Sequence, residues 1–221
     1  MRAPDAYSPP AGLEVVFSDA ALIVLDKPSG LLSVPGRGDG MEDCLGARAQ
    51  HKFPDALVVH RLDMATSGLI VMARGIATQR ALSAAFAERQ VYKRYEATVH
   101  GQIEAPLEAW RTIDLPIRVD WPHRPLRVID ATGQASISRV RLLAWNAAQS
   151  TSRVALEPET GRSHQLRVHL QAIGHPILGD ALYAPAHIAA AAPRLLLHAC
   201  ALAFEHPSSH HKVEFQSPTP F

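Results

Sequence analysis

The side chains best suited to chemistry lie in one short run, HRLDMATSGLIVMA at 60–73. A basic pair, His60 and Arg61, stands just before Asp63, and Thr-Ser-Gly then leads into an apolar segment. This order places a carboxylate in a loop beside a buried strand, where a rigid scaffold can aim a reactive group. A positioned carboxylate serves as a nucleophile or as a general base. The same aspartate also suits a turn cap that bonds the amides of Ala65 or Thr66. On the run alone both readings stand.

Other chemistries have little support. There are twelve histidines, but His164 and His169 are five apart, the wrong spacing for two ligands on one helical face. No HExxH occurs, and His206, His210 and His211 read as solvated residues near the C-terminus, so no metal is expected. Cys44 and Cys200 have no nearby cysteine partner and read as two reduced thiols. No cofactor motif is present and no cofactor is expected. Residues 1–12 lack the apolar core of a signal peptide and no apolar run approaches a membrane span, so a cytoplasmic protein is expected.

The formal net charge is +1, so global charge gives no argument for a nucleic-acid partner. Local clusters do. RQVYKR at 89–94 includes Lys93 and Arg94, with apolar residues interleaved. RVDWPHRPLR at 118–127 sets Arg118, Arg124 and Arg127 against one aspartate, with Trp121 as a stacking surface. Such clusters taken alone also describe an ordinary solvated face.

These groups need elements to hold them. The 221 residues suit a chain with a substantial core, and 13 glycines with 17 prolines point to many turns. Residues 1–12 read as a flexible arm and 13–221 as one catalytic domain. A hairpin is expected from 13–17 and 22–25, with Ser18 and Asp19 at the turn. Residues 29–40 read as a loop, 41–51 as a short helix, and 57–60 and 68–73 as strands. The clearest helix is 76–89, with Ile76, Leu82, Ala85 and Phe86 on one face. Strands follow at 92–99, in short pieces over 110–128, and at 135–143 and 153–157. A helix over 164–173 has Ser163 as N-cap and Gly174 as C-cap. Strands at 195–204 and 213–215 close the chain. Mostly strands with about three helices inserted argue an α+β fold around a large, mixed, mostly antiparallel sheet.

HRLD followed by TSG resembles the signature loop of the RluA-type RNA pseudouridine synthases. KPSGLLSVPG at 27–36 is similar to that family's N-terminal loop. TGRSHQLRVHL at 160–170 with GHPILGD at 174–180 resembles its second long motif, and RLLLHA at 194–199 its C-terminal one. Tyr95, after Lys93 and Arg94, sits where the family's active-site tyrosine is expected. The matches run in order from about residue 13 to the C-terminus. MATSG after Asp63 and DWPHRP at 120–125 resemble the RluA subgroup, which lacks an N-terminal S4 domain, although position 123 is His where Asn is expected.

The resemblance implies a cofactor-free isomerase with an active-site cleft across the sheet. It breaks the N1–C1′ bond of a uridine, rotates the base and joins C5 to C1′. Asp63 is then the catalytic carboxylate, Arg162 the cation that keeps it ionised and oriented, and Tyr95 the ring against the base. Leu196 lines the pocket, and His60 and Arg61 contact the RNA, with Arg61 filling the place of the extruded base. Burial raises a carboxylate's pKa and a neighbouring cation lowers it, which is why the arginine matters. The implied substrates are a tRNA anticodon stem-loop and a stem-loop of large-subunit ribosomal RNA. A monomer without a protein partner is expected. Two other classes remain: a non-catalytic RNA-binding or folding module on the same fold, and a nucleosidase. The second would want another carboxylate to activate water, and no motif places one near Asp63.

Overall fold

The run LEVVFSDAALIVLDKP folds as the hairpin its alternation requires. Strands β1 (Glu14–Ser18) and β2 (Leu22–Lys27) pair antiparallel, and Asp19 Oδ1 closes the turn by accepting the amides of Ala21 and Leu22 at 2.8 Å each. This computed structural model describes residues 7–104 and 109–221. Half of the arm expected over 1–12 therefore lies outside the described residues. The described part is tied down. The Tyr7 hydroxyl donates to the Asp43 carbonyl and accepts the Leu32 amide, while Arg48 Nη1 donates to the carbonyls of Pro10 and Gly12.

The fold is α+β, and the chain divides into two compact units: Met1–Tyr92 with Ala201–Ser217, and Lys93–Cys200 with Pro218–Phe221. In the first unit, β2 pairs antiparallel with β4 (Ser67–Arg74), and the short β3 (Ala56–Val58) also pairs with β4. Strand β11 (Leu197–Glu205) enters this unit at Ala201 and pairs with β12 (Lys212–Gln216). Apolar cover on both faces explains why LIVL and GLIVMA are continuous apolar runs rather than alternating ones. Leu22, Val24, Leu69 and Val71 pack with Leu202, Phe204 and Leu82 of helix α2 (Ile76–Ala87). Ile23, Leu25, Ile70 and Met72 turn the other way, onto Leu31 and onto Leu45 and Ala49 of helix α1 (Leu45–Lys52). Each such side chain contributes roughly 1.5–3 kcal/mol on burial.

Two helix expectations need correction. Helix α1 starts at Leu45, because Cys44 is its N-cap and its Sγ accepts the Ala47 amide. Helix α2 buries Leu82 and half-buries Ala85 and Phe86, but Ile76 is 56% exposed. At about 100° per residue, Ile76 lies roughly 120° from Leu82 and half a turn from Ala85, off the buried face.

The second unit is built on the strand order β5 (Tyr92–His100), β10 (Thr151–Pro158), β9 (Ile137–Asn146) and β6 (Trp110–Asp114), with antiparallel neighbours. Strands β7 (Ile117–Val119) and β8 (Arg127–Ile129) form a separate two-stranded ribbon. Helix α3 (Gln165–Ala172) has a buried polar seam. Gln165 Nε2 donates to Ser138 Oγ, and His169 Nδ1 lies 3.0 Å from the same hydroxyl. The expected cap Ser163 is displaced: the N-cap is His164, left-handed at φ 59 with no side-chain cap bond. The turn is closed from within, since Gln165 Oε1 accepts both the Arg162 amide and the Thr160 hydroxyl. The other end follows expectation. Gly174, at φ +86, donates to Gln171 O and His175 donates to Leu170 O, the pattern of a Schellman stop. The alanine-rich stretch supplies one more short helix, α4 (Ala186–Ala189).

Candidate active site

The Asp63 loop is fastened to the 27–36 segment by bonds that use main-chain oxygens and amides. Lys27 is fully buried, and its Nζ donates to the carbonyls of Pro28 (2.9 Å), Leu31 (2.7 Å) and Met64 (3.0 Å). The Gly30 amide also donates to Met64 O, at 2.8 Å. Ser29 Oγ donates to Ala65 O, and Ser33 Oγ both donates to Leu62 O and accepts the Leu62 amide. The backbone on either side of Asp63 is therefore held at residues 62, 64 and 65. The Thr66 amide donates to the Asp63 carbonyl, completing a tight turn. In this frame the Asp63 side chain is half-buried, and Arg61 and Met64 are exposed.

His60 is set differently from Arg61. Its Nε2 accepts the Val71 amide at 3.0 Å, and its ring stacks on Phe86 with centroids 4.3 Å apart. An Nε2 that accepts an N–H fixes the neutral ring with its proton on Nδ1. These contacts brace the start of the loop against β4 and α2.

In the second unit, Tyr95 is half-buried on β5, paired in register with Leu156. Leu196 is half-buried, and its main chain is used on both sides: the Thr98 amide donates to Leu196 O, and Leu196 N donates to Leu178 O. Lys93 and Arg94 are half-buried at the start of this unit. Arg162 is exposed; its amide is held by Gln165, and its Nε donates to Ala135 O at 3.4 Å. Gln165 itself is 4% exposed and its amide group bonds to four partners, so the turn carrying Arg162 is stiff.

Arg118, Trp121, Arg127 and Arg162 line one groove of about 320 Å³, whose walls include Thr132, Gly133 and Gln134. Arg124 packs on Trp121, with its guanidinium 4.8 Å from the centre of the ring and its Nε donating to Trp121 O. Trp121 is 62% exposed. The charge count differs from the one the local sequence suggests. Arg118 donates from Nε and Nη2 to Asp130 Oδ2, a residue outside the 118–127 run. Hydrogen bonds from the Thr132 hydroxyl and amide, and then from Arg118, hold the Asp130 carboxyl down at about 2. Asp120 is paired with His123 at 3.0 Å. The positive character of the groove thus rests mainly on Arg127 and Arg162, with Arg124 beside them.

Lys27, Ser33 and Gln165 carry no functional signal of their own in the sequence. All three lie inside the motif blocks at 27–36 and 160–170, so the blocks were visible, while their internal hydrogen bonding was not. Among the described residues, no group of three His, Cys, Asp or Glu side chains is placed to hold a metal ion, and no helix is long and apolar enough to cross a membrane.

A pinned aspartate loop and a groove lined by arginines and Trp121 stand on an α+β scaffold. The match to a family model gives the class: residues 21–172 fit the RNA pseudouridylate synthase family, and the chain belongs to it. Its relatives are specific. It is 47% identical over 218 residues to the dual-specificity RNA pseudouridine synthase RluA of Escherichia coli O6:H1, covering 97% of this chain and 98% of that one. It is 45% identical over 207 residues to the protein of the same name from Vibrio cholerae, covering 92% of this chain and 82% of that one. Among solved structures it resembles human RNA pseudouridylate synthase domain containing 1, with a TM-score of 0.79 and 29% identity over 100% of this chain and 87% of that one. The corresponding human domain containing 4 gives 0.71 and 26% identity over 94% and 88%.

Proposed function

We propose that this protein isomerises specific uridines to pseudouridine in structured RNA, in the manner of the dual-specificity RluA enzymes it matches over 97% of its length. The observation that carries the reading is the Asp63 loop, whose backbone is bonded on both sides to the 27–36 segment. That rigidity suits a carboxylate that must act at a chosen atom. Asp63 is the catalytic carboxylate, Arg162 its cation, Tyr95 the ring against the base, and Leu196 part of the apolar pocket. Arg61, exposed beside Asp63, takes the space an extruded base leaves, since a guanidinium both stacks and bonds phosphate. His60 braces this loop and adds to its RNA-facing edge. Lys93, Arg94, Arg118, Arg124 and Arg127 contact the RNA backbone, and Trp121 stacks on an unpaired base.

The substrates are a tRNA anticodon stem-loop and a stem-loop of large-subunit ribosomal RNA. Both offer unpaired bases, the usual targets of sequence-selective RNA recognition. The chain acts in the cytoplasm as a monomer over its catalytic domain at 13–221, without a cofactor or metal and without a protein partner. A non-catalytic RNA-binding role is disfavoured, because a pure binder has no use for a braced carboxylate. Mapping pseudouridine in tRNA and ribosomal RNA from cells lacking the gene, and again after its return, tests the assignment. Loss and rescue at an anticodon-loop site is the expected result. An unchanged map in both RNAs overturns it.

A further inference from the structure

We infer that Tyr183, through His164, is a positioning residue that fixes the spacing between two walls of the basic groove; the inference rests on the RNA-modifying role proposed above. The Tyr183 hydroxyl accepts the Arg127 amide at 3.0 Å and lies 2.6 Å from His164 Nδ1. Arg127 and the Arg162–Ser163 turn both line the groove, and His164 follows that turn directly. One phenol oxygen therefore ties β8 to the backbone that carries Arg162.

The tie is stiff at its base. The Tyr183 ring lies under the Arg167 guanidinium, 5.0 Å from its carbon. Arg167 in turn donates twice to Asp180, at 2.8 and 2.6 Å, and both side chains are at most 5% exposed. Asp180 Oδ1 also accepts the Leu182 and Tyr183 amides. Burial pushes the Tyr183 hydroxyl above its usual range, so it stays a neutral phenol. A hydroxyl has one hydrogen and two lone pairs. The Arg127 amide takes one lone pair, and the contact with His164 uses the hydrogen or the other.

His164 sits in the left-handed region at φ 59, a conformation that costs a histidine energy unless its surroundings hold it there. No side-chain cap bond explains it. The Tyr183 hydroxyl meets its ring, so Gln165 holds the Arg162 amide while this residue pair anchors the chain two residues further on. Tyr183 touches neither RNA nor the reacting atoms in this account; it acts through Arg127 and Arg162.

The test uses the full chain and an RNA stem-loop that the wild type modifies. If the wild type modifies none, the proposed function fails before the variants are measured. Tyr183→Phe keeps the ring over Arg167 and deletes only the hydroxyl. The expected result is a kcat about 10-fold lower at saturating RNA, since small displacements of a catalytic cation have effects of that order or larger. The dependence of RNA affinity on salt should also become shallower by about one phosphate contact as Arg127 slackens. His164→Asn, which tolerates the left-handed backbone but is too short to reach the hydroxyl, should reproduce the loss of kcat. It decides the matter if Tyr183→Phe does not fold. A merely structural role would lower the melting temperature and leave the kcat of folded enzyme and the salt dependence alone. Values of kcat within twofold of wild type in the folded variants overturn the inference.

Discussion

An ammonium group leaves water only where other oxygens replace it. Lys27 is fully buried and donates to three main-chain carbonyls, one of them Met64 O beside Asp63. Lys27→Met keeps the apolar stem and removes the donor, stranding the carbonyl of the fully buried Leu31. The expected cost is roughly 3 kcal/mol of unfolding free energy, the upper end for an unsatisfied buried acceptor. Urea denaturation of the variant beside the wild type measures it, and a change under about 0.5 kcal/mol would show that the loop does not depend on this lysine. A lysine followed by Pro-Ser-Gly is easy to see in the sequence. Its burial is not, because the acceptor at Met64 is 37 residues away and nothing local announces it.

Among the elements, α3 shows how a polar seam can organise a site. His169 has no exposed surface; its Nε2 faces Leu115 O at 2.9 Å and its Nδ1 faces Ser138 Oγ at 3.0 Å. Burial holds its pKa below the ordinary value near 6.5, against a smaller upward pull from the Leu115 carbonyl and Asp114. The unfolded chain then binds the proton more readily than the folded one. The stability from a neutral His169 is complete above about pH 6.5 and is lost as pH falls below that value toward the folded pKa. Urea unfolding at pH 7.5 and 5.5 should show this loss in the wild type and a smaller one in His169→Gln. Equal losses in both would remove His169 as a cause. Strands were the legible elements: β2 and β4 read as apolar runs because both their faces are covered. The start of α3 was not legible. A serine before a helix looks like a cap, yet the N-cap is His164 with no side-chain cap bond, and Gln165 holds the preceding turn through the Arg162 amide. The ribbon β7–β8 and its groove were half legible. The arginines and Trp121 stood out as a cluster, but the partner that neutralises Arg118, Asp130, lies twelve residues further on.

For the molecule as a whole, a net charge of +1 leaves the proposed RNA binding to local features, of which Arg118, Trp121, Arg127 and Arg162 line one groove of the second unit. The family was legible because four motif blocks fall in order along most of the chain, and the fit of residues 21–172 to the family model agrees. What the sequence could not supply was the set of long-range bonds, Lys27 to Met64 and Tyr183 to Arg127, that hold those blocks in place. Such bonds arise only when segments far apart in the chain pack together.

In the proposed reaction one carboxylate, that of Asp63, performs the isomerisation. Asp63→Asn preserves size and shape and removes only the charge. Incubated with an anticodon stem-loop RNA that the wild type modifies, the variant should form no detectable pseudouridine while binding the RNA within a few-fold of wild type. Product formation by Asp63→Asn above a tenth of the wild-type rate would contradict the account.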